Sequence, residues 1–255
     1  DHGTRVLTHA DFRSAWVDAD LTDDLGTDQL DLADDEHMEQ MRSLMTRPTP
    51  WGATRTPPSA TELRKWAEMD ATGGSRSWRV PEPSVTVDDG DEVDLGGRPW
   101  LALHTPGHTH DHLCLFDPVD GILLSGAHVL PPITPHIGGI GPLDDPLATF
   151  FRSLERMKEL PGLTAVLPAH GHPFTDVSGR VDDIVGHHEE RLETIREAGH
   201  DLGKGTVESF MQRLFKERSW GDMAASETYA HLEHLRILGQ ATRDEIAGQA
   251  VYLTH

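Results

Sequence analysis

From residue 83 onward the chain reads as five short apolar stretches cut apart by tight turns, and this pattern constrains the fold more than any other feature. Ser84–Val87, Glu92–Leu95, Pro99–His104, Leu113–Phe116 and Ile122–Ser125 are expected strands. They are separated by Asp89-Gly90, Gly96-Gly97, a Pro-Gly-His loop and Asp117-Pro118-Val119-Asp120-Gly121. An amphipathic helix follows, with Leu147, Phe150, Phe151, Leu154 and Met157 recurring on one face. Pro161-Gly162 ends it, Thr164–Leu167 reads as a buried strand, and Val181, Ile184, Val185, His188, Leu192 and Ile195 mark a long second helix. Strands first, then alternating helix and strand, predict a layered α/β fold with sheet inside and helices outside.

The flanking regions differ in texture. Residues 4–8 predict a short strand, Asp11 to Val17 the start of a helix, and the Asp-rich stretch 20–36 a solvated loop. Met38, Met41 and Met45 share one helical face, Pro48, Pro50, Pro57 and Pro58 break the chain, and Ser59 with Glu62 forms a capping box ahead of Leu63 and Trp66. This Met- and Trp-bearing segment, about residues 30–75, resembles an inserted lid whose apolar side chains serve as core, as a binding wall, or as both. Beyond Gly199 come a helix near Val207–Phe215, a second from about Ala225 to Leu238 closed by Gly239, and a two-stranded wing from Gln240–Thr242 and Gln249–Thr254. The expected organisation is therefore a main domain over 1–198 and a small winged-helix-like domain over 199–255.

Charge narrows the function classes. The chain carries 43 acidic against 22 basic residues, a formal net charge of −21, which repels phosphate backbones and anionic lipid. Residues 200–255 hold six Arg and Lys against eight Asp and Glu, so no basic stripe marks the winged-helix-like part as a nucleic-acid reader. We read that part as a packing or dimerisation element bordering the site, which makes a homodimer a candidate assembly. No apolar run approaches the roughly 18–20 residues that span a bilayer, and the opening residues carry no signal pattern. A cytoplasmic protein acting on a small-molecule substrate is the expectation. Lone Cys114, inside Leu113-Cys114-Leu115-Phe116, forms no internal disulfide and reads as a buried strand residue rather than a nucleophile.

Histidine is the outlier, with 17 copies. His104-Thr105-Pro106-Gly107-His108-Thr109 follows a strand directly, and Gly107 allows the tight backbone needed to aim an imidazole out of a strand end. Pro168-Ala169-His170-Gly171 places a second His in a Gly-bounded loop after a short strand, and Leu124-Ser125-Gly126-Ala127-His128 lies between them in sequence. Two histidines on separate strand-end loops at one sheet edge can meet at a metal.

In this order, "HTPGHT", a strand-end "LLSG-x-H" and "PAHG" resemble the later motifs of the metallo-β-lactamase superfamily, over about residues 80–190. Ser125 to Gly138 and Leu232-Glu233-His234-Leu235 look like its glyoxalase-II-like and β-lactamase-like branch with a C-terminal winged-helix extension. The resemblance implies an αββα sandwich holding two zinc ions (iron or manganese in some relatives) that share a hydroxide. It implies His108 as a ligand of the first metal and His170 of the second. Asp1 and His2 would be the end of the family's H-x-H-x-D-H motif, Asp1 also accepting the proton; the rival reading gives the pair no role. His9 lacks a partner His two residues away and is not taken as a substitute.

Ala127 stands where the family has a bridging Asp. It reads as an introduced Asp→Ala change, with natural degeneration as the other reading. His112 is a candidate supporting or substrate-contacting residue, and His128 and His136 are candidate substrate contacts. Met41, Trp51 and Trp66 of the lid would suit an apolar acyl group. His104, His110, His172, His187 and His188 are read as structural or exposed. The implied activity is hydrolysis of a thioester, ester or lactone, impaired by Ala127. The alternatives are an RNA-cleaving nuclease or phosphodiesterase and a metal-depleted, non-catalytic binding protein.

Overall fold

The computed structural model describes residues 5–12, 46, 48–54, 59, 61 and 83–255. Asp1, His2, Met41 and Trp66, the helix expected beyond Phe12, and the helices expected in the lid lie outside the described residues. Two compact units divide the chain: Asp1–Phe12 with Pro83–His255, and Arg13–Glu82. In the second, Thr49 and Ala53 close a turn in which the Thr49 amide donates to the Ala53 carbonyl at 3.0 Å, and Trp51 within it is buried.

The first unit is built on a five-stranded sheet. β3 (Glu92–Asp94), β4 (Pro99–His104), β5 (Leu113–Asp117), β6 (Ile122–Gly126) and β7 (Ala165–Pro168) lie in that spatial order. The first four pair antiparallel, whereas β6 and β7 pair parallel. The connection between those two contains helix α1 (Pro146–Lys158), as a parallel crossover requires. One consequence positions everything that follows. β4, β6 and β7 all run the same way, so their C-terminal ends open on one edge of the sheet.

Side-chain alternation decides what covers the two faces. Leu103, Cys114, Phe116, Leu123 and Val166 fall in register on one face, and each is at most 4% exposed. Ala102, Leu113 and Leu115 point the other way and pack with Val93 against Leu7, Val85 and Val87. Those last three belong to a separate parallel pair, β1 (Leu7–His9) and β2 (Val85–Val87). Burial of each larger aliphatic or aromatic side chain contributes about 1.5–3 kcal/mol. The first strand falls slightly later than the expected residues 4–8.

Helix α1 starts where Asp145 accepts the Ala148 amide at 2.9 Å and Pro146 presets the first turn. Its expected apolar face is present, with Leu147, Phe150, Leu154 and Met157 fully buried. Helix α2 (Val177–Leu202) buries Val181, Ile184, His188, Leu192 and Ile195. The order helix, helix, hairpin then follows, as α3 (Val207–Leu214), α4 (Asp222–Ile237), and β9 (Ala241–Ile246) with β10 (Gln249–Thr254). Helix α4 begins at Asp222, ahead of the expected Ala225, and its first two residues, Asp222 and Met223, are exposed. A short strand β8 (Gly205–Thr206) adds to β10, giving the order β8-β10-β9. Gly199 of α2 has no room for a side chain, since a Cβ there would lie 1.7 Å from Thr254 Oγ1 of β10. No described helix is long and apolar enough to cross a membrane.

Candidate metal centre

Three strand-end loops meet at the open edge. After β4, Gly107 takes a φ of 141°, and a Cβ on it would sit 2.4 Å from Phe150 Cβ of α1. Only glycine lets the loop pass so close to the helix. Ser153 of α1 holds the same loop by donating its hydroxyl to the Pro106 carbonyl at 2.8 Å. His108 is thus presented half-buried. Its Nδ1–H donates to the His136 carbonyl at 2.6 Å. That bond fixes the tautomer and leaves the Nε2 lone pair available, which is how a metal-ligating imidazole is prepared.

The loop after β6 carries Ala127, and His112 supports it. The Ala127 amide donates to His112 Nε2 at 3.2 Å, so Nδ1 carries the proton and donates to Thr105 Oγ1 at 2.7 Å. Burial, and next the His108 charge, push the His112 pKa down to about 4, which keeps it a neutral acceptor. With both nitrogens engaged, His112 fits the supporting role. His128 is placed differently from expectation. Its ring has no exposed surface and packs between His112 (centroids 5.7 Å apart) and the edge of Phe150 (5.1 Å). A side chain walled in on these sides cannot touch a substrate, so His128 is a core residue. Burial drives its pKa down to about 3.

The third loop follows β7. The Ala169 amide donates to the Gly126 carbonyl at 2.8 Å, which ties this loop to the one carrying Ala127. Gly171, at a φ of 87°, passes so near Pro131 that a Cβ would come within 2.8 Å of its Cγ. His170 stands between them, exposed. By donor type, His108 and His170 are imidazoles of the kind zinc takes, on separate strand-end loops at this edge, but among the described residues no third ligand joins them within metal distance. Ala127 does not fit, because a methyl group offers no lone pair. Trp51 is buried in its own turn, while Asp1, His2, Met41 and Trp66 fall outside the described residues.

His136 leads to Glu227, Arg191 and His231, which the sequence did not single out, and through them to His188, which it read as structural or exposed. The His136 Nδ1–H donates to Glu227 Oε2 of α4 at 3.2 Å, and Arg191 of α2 pairs with the other oxygen of the same carboxylate. Burial raises the Glu227 pKa; the His136 hydrogen bond and the Arg191 charge outweigh it and hold the carboxyl below its usual range. One helical turn on, His231 Nδ1–H donates to the Glu227 carbonyl at 2.7 Å, and its Nε2 accepts from His188 Nδ1–H at 3.1 Å. Burial above all pushes the His231 pKa down to about 4 and that of His188 to about 2. The only hint in the sequence is Glu227-x-x-x-His231, a spacing that puts both side chains on one helix face.

Ligand atoms of His188, Glu227 and His231 lie within 4.8 Å of one another, close enough for a metal by distance alone. The bonding argues against one. His231 Nε2 already accepts the His188 proton, and freeing both lone pairs would move that proton to His188 Nε2, which meets no hydrogen-bond partner. A dication would also face the Arg191 guanidinium across Glu227. The trio is a hydrogen-bond chain.

Of the other singled-out residues, His172 is exposed and those that follow are structural. His104 Nε2–H donates to the His110 carbonyl at 2.8 Å, and its ring stacks on His9 at 3.8 Å. His234 bonds Asp145, the cap of α1, at 2.9 Å, while Leu232 and Leu235 are fully buried, so the Leu-Glu-His-Leu signature serves packing. Cys114 is fully buried with its pKa raised to about 12 by burial, which makes it no nucleophile.

The fold and the edge-clustered loops define a class. The model of the metallo-beta-lactamase superfamily matches residues 24–170, more than half of the chain. The chain belongs to the metallo-β-lactamase superfamily. Among curated relatives, a hydroxyacylglutathione hydrolase from Idiomarina loihiensis is 34% identical over 106 residues, 41% of this chain and 39% of that protein. A beta-lactamase-like protein 2 homolog from Caenorhabditis elegans is 28% identical over 134 residues, 52% of this chain and 43% of that one. The chain thus spans well under half the length of these relatives. Among solved structures, a beta-lactamase domain protein from Burkholderia ambifaria superposes with a TM-score of 0.64 at 30% identity, over 69% of this chain and 54% of that one. A metallo-beta-lactamase family protein from Thermus thermophilus superposes at 0.62 with 28% identity, over 78% of this chain and 66% of that one.

Proposed function

We propose that the chain is a metal-dependent hydrolase of a thioester, ester or lactone, impaired by the alanine at position 127. The observation that carries this reading is His108, whose Nδ1 proton is committed to the His136 carbonyl so that Nε2 is left bare as a ligand. Its relatives include proteins named hydroxyacylglutathione hydrolase, which is a thioester-cleaving activity in those proteins. His108 and His170 would hold zinc, with iron or manganese as alternatives, and Asp1 and His2 would complete the set. Such ions supply a bound water acidic enough to attack near neutral pH and polarise the substrate carbonyl. The chain's own residues set the stage: His112 fixes the backbone at 127, Gly107 brings the His108 loop against α1, and Asp1 would take up the proton.

A second reading is a non-catalytic binding protein, and Ala127 itself favours it. The substitution Ala127→Asp separates the two. We expect bound zinc, measured by elemental analysis, to rise by about one equivalent, together with a gain of thioesterase activity. Unchanged zinc and no hydrolysis would establish the binding protein instead. Cleavage of single-stranded RNA without thioester turnover would replace the hydrolase reading with a nuclease.

A further inference from the structure

We propose that Glu227 is a positioning residue for His108, acting across the fold through the loop that bears His136; this rests on the reading of His108 as a metal ligand. The loop 131–141, between β6 and α1, has no regular secondary structure, yet it supplies the carbonyl that orients the His108 ring. Something must hold that carbonyl still, because an imidazole orienter that drifts no longer selects one tautomer.

Helix α4 does so at two points. The Glu227 carboxylate accepts from His136 Nδ1 at 3.2 Å, and three residues on, the Gly139 amide donates to both the carbonyl and the hydroxyl of Ser226 at 3.1 Å. Consecutive residues of one helix therefore grip both ends of the segment His136–Gly139. The grip is close. A Cβ on Gly139 would lie 2.4 Å from Tyr229 Cδ1 and 2.9 Å from the Ala230 amide. Ile137, between the two anchors, is fully buried.

Glu227 is itself held from the far side. Arg191 of α2 pairs with its free oxygen, and the His231–His188 chain runs back from its carbonyl to α2. The path from α2 to the metal ligand is thus Arg191, Glu227, His136, carbonyl, His108, with a hydrogen bond at every step between residues. The C-terminal helix sets which nitrogen of His108 is bare. That role differs from holding the fold together, and it predicts a signature that a packing residue would not give.

The test reads the His108 ring directly, in the 15N-labelled chain as it stands, by long-range 1H–15N correlation. In the unsubstituted chain His108 is expected wholly as the Nδ1–H form. Glu227→Ala should bring in a measurable share of the Nε2–H form, while Glu227→Gln, which keeps an acceptor for His136, should restore the Nδ1–H form. If Glu227→Ala does not fold, His136→Phe decides: it retains the carbonyl but loses the anchor, and should mix the tautomers in the same way. A His108 tautomer unmoved in the folded variant would overturn the proposal.

A second arm tests the underlying reading on the Ala127→Asp background. There Glu227→Ala should weaken Co2+ binding about 10–100-fold and alter the Co2+ absorption bands, as loss of an outer partner does. His108→Ala must weaken Co2+ binding at least as much. If it leaves binding untouched, the ligand reading fails, whereas the tautomer result still judges the role of Glu227.

Discussion

Ala127 shows how little of a site's chemistry a fold needs in order to form. Its amide is held by His112 and its loop by the Ala169–Gly126 hydrogen bond, neither of which involves the side chain. Gly107 is the opposite case, a residue whose missing side chain the fold requires. Gly107→Ala should lower stability by about 2–4 kcal/mol, since the new methyl must displace the Phe150 backbone at a φ that L residues avoid; equilibrium urea unfolding would measure it. The buried histidines make a separate prediction. His188 and His231 have folded pKa values of about 2 and about 4 against an ordinary 6.5, so the unfolded chain binds their protons more readily. Their contribution to stability is complete above about pH 6.5 and is lost as pH falls below it, through about pH 4 for His231 and on toward about pH 2 for His188. Urea unfolding at pH 7 and pH 5 should differ accordingly; equal stabilities would contradict their burial as neutral groups. At this scale the placement of His108 and His170 on strand-end loops was legible because glycine-bounded strand ends advertise it. Glu227 and Arg191 were not, since a partly buried ion pair between two helices has the same local sequence as a solvated helix face.

Elements were legible where one face is apolar and the other is not. Strands β3 to β6 and helix α1 sit within a residue or two of their expected positions for that reason. Strand β9 was only half visible, because Thr242 to Ile246 are all exposed and offer no alternation. Its partner β10 carries the apolar content, and the turn Ala247-Gly248, both at positive φ, closes the hairpin. Asp145 joins two elements at once: it caps α1 through the Ala148 amide and accepts from His234 of α4. Asp145→Ala should therefore cost about 2 kcal/mol or more, beyond the ~1 kcal/mol of an ordinary cap. Combining it with His234→Ala should cost less than the sum of the two singles, which a double-mutant cycle in urea would show.

On the scale of the whole chain, the order of strands and helices was readable, but the closeness of the last 50 or so residues to the rest was not. They look like an appended module in sequence. In space, α4 and β10 meet α2 through the Glu227–Arg191 pair, the His188–His231 bond and the Gly199–Thr254 contact, inside one compact unit. A chain ending at Leu202 would leave His188 and the apolar face of α2 uncovered, so it should lose cooperative thermal unfolding and enter aggregates; a sharp melting transition in calorimetry would refute this.

The parallel course of β4, β6 and β7 has a practical corollary. Reactive groups stand at the tips of strands whose bodies alone fill the interior, so the molecule's solubility and its reactivity can vary independently. A screen that ranks variants by expression yield would score this chain and its Ala127→Asp form alike, and would be blind to the carboxylate on which the proposed turnover rests.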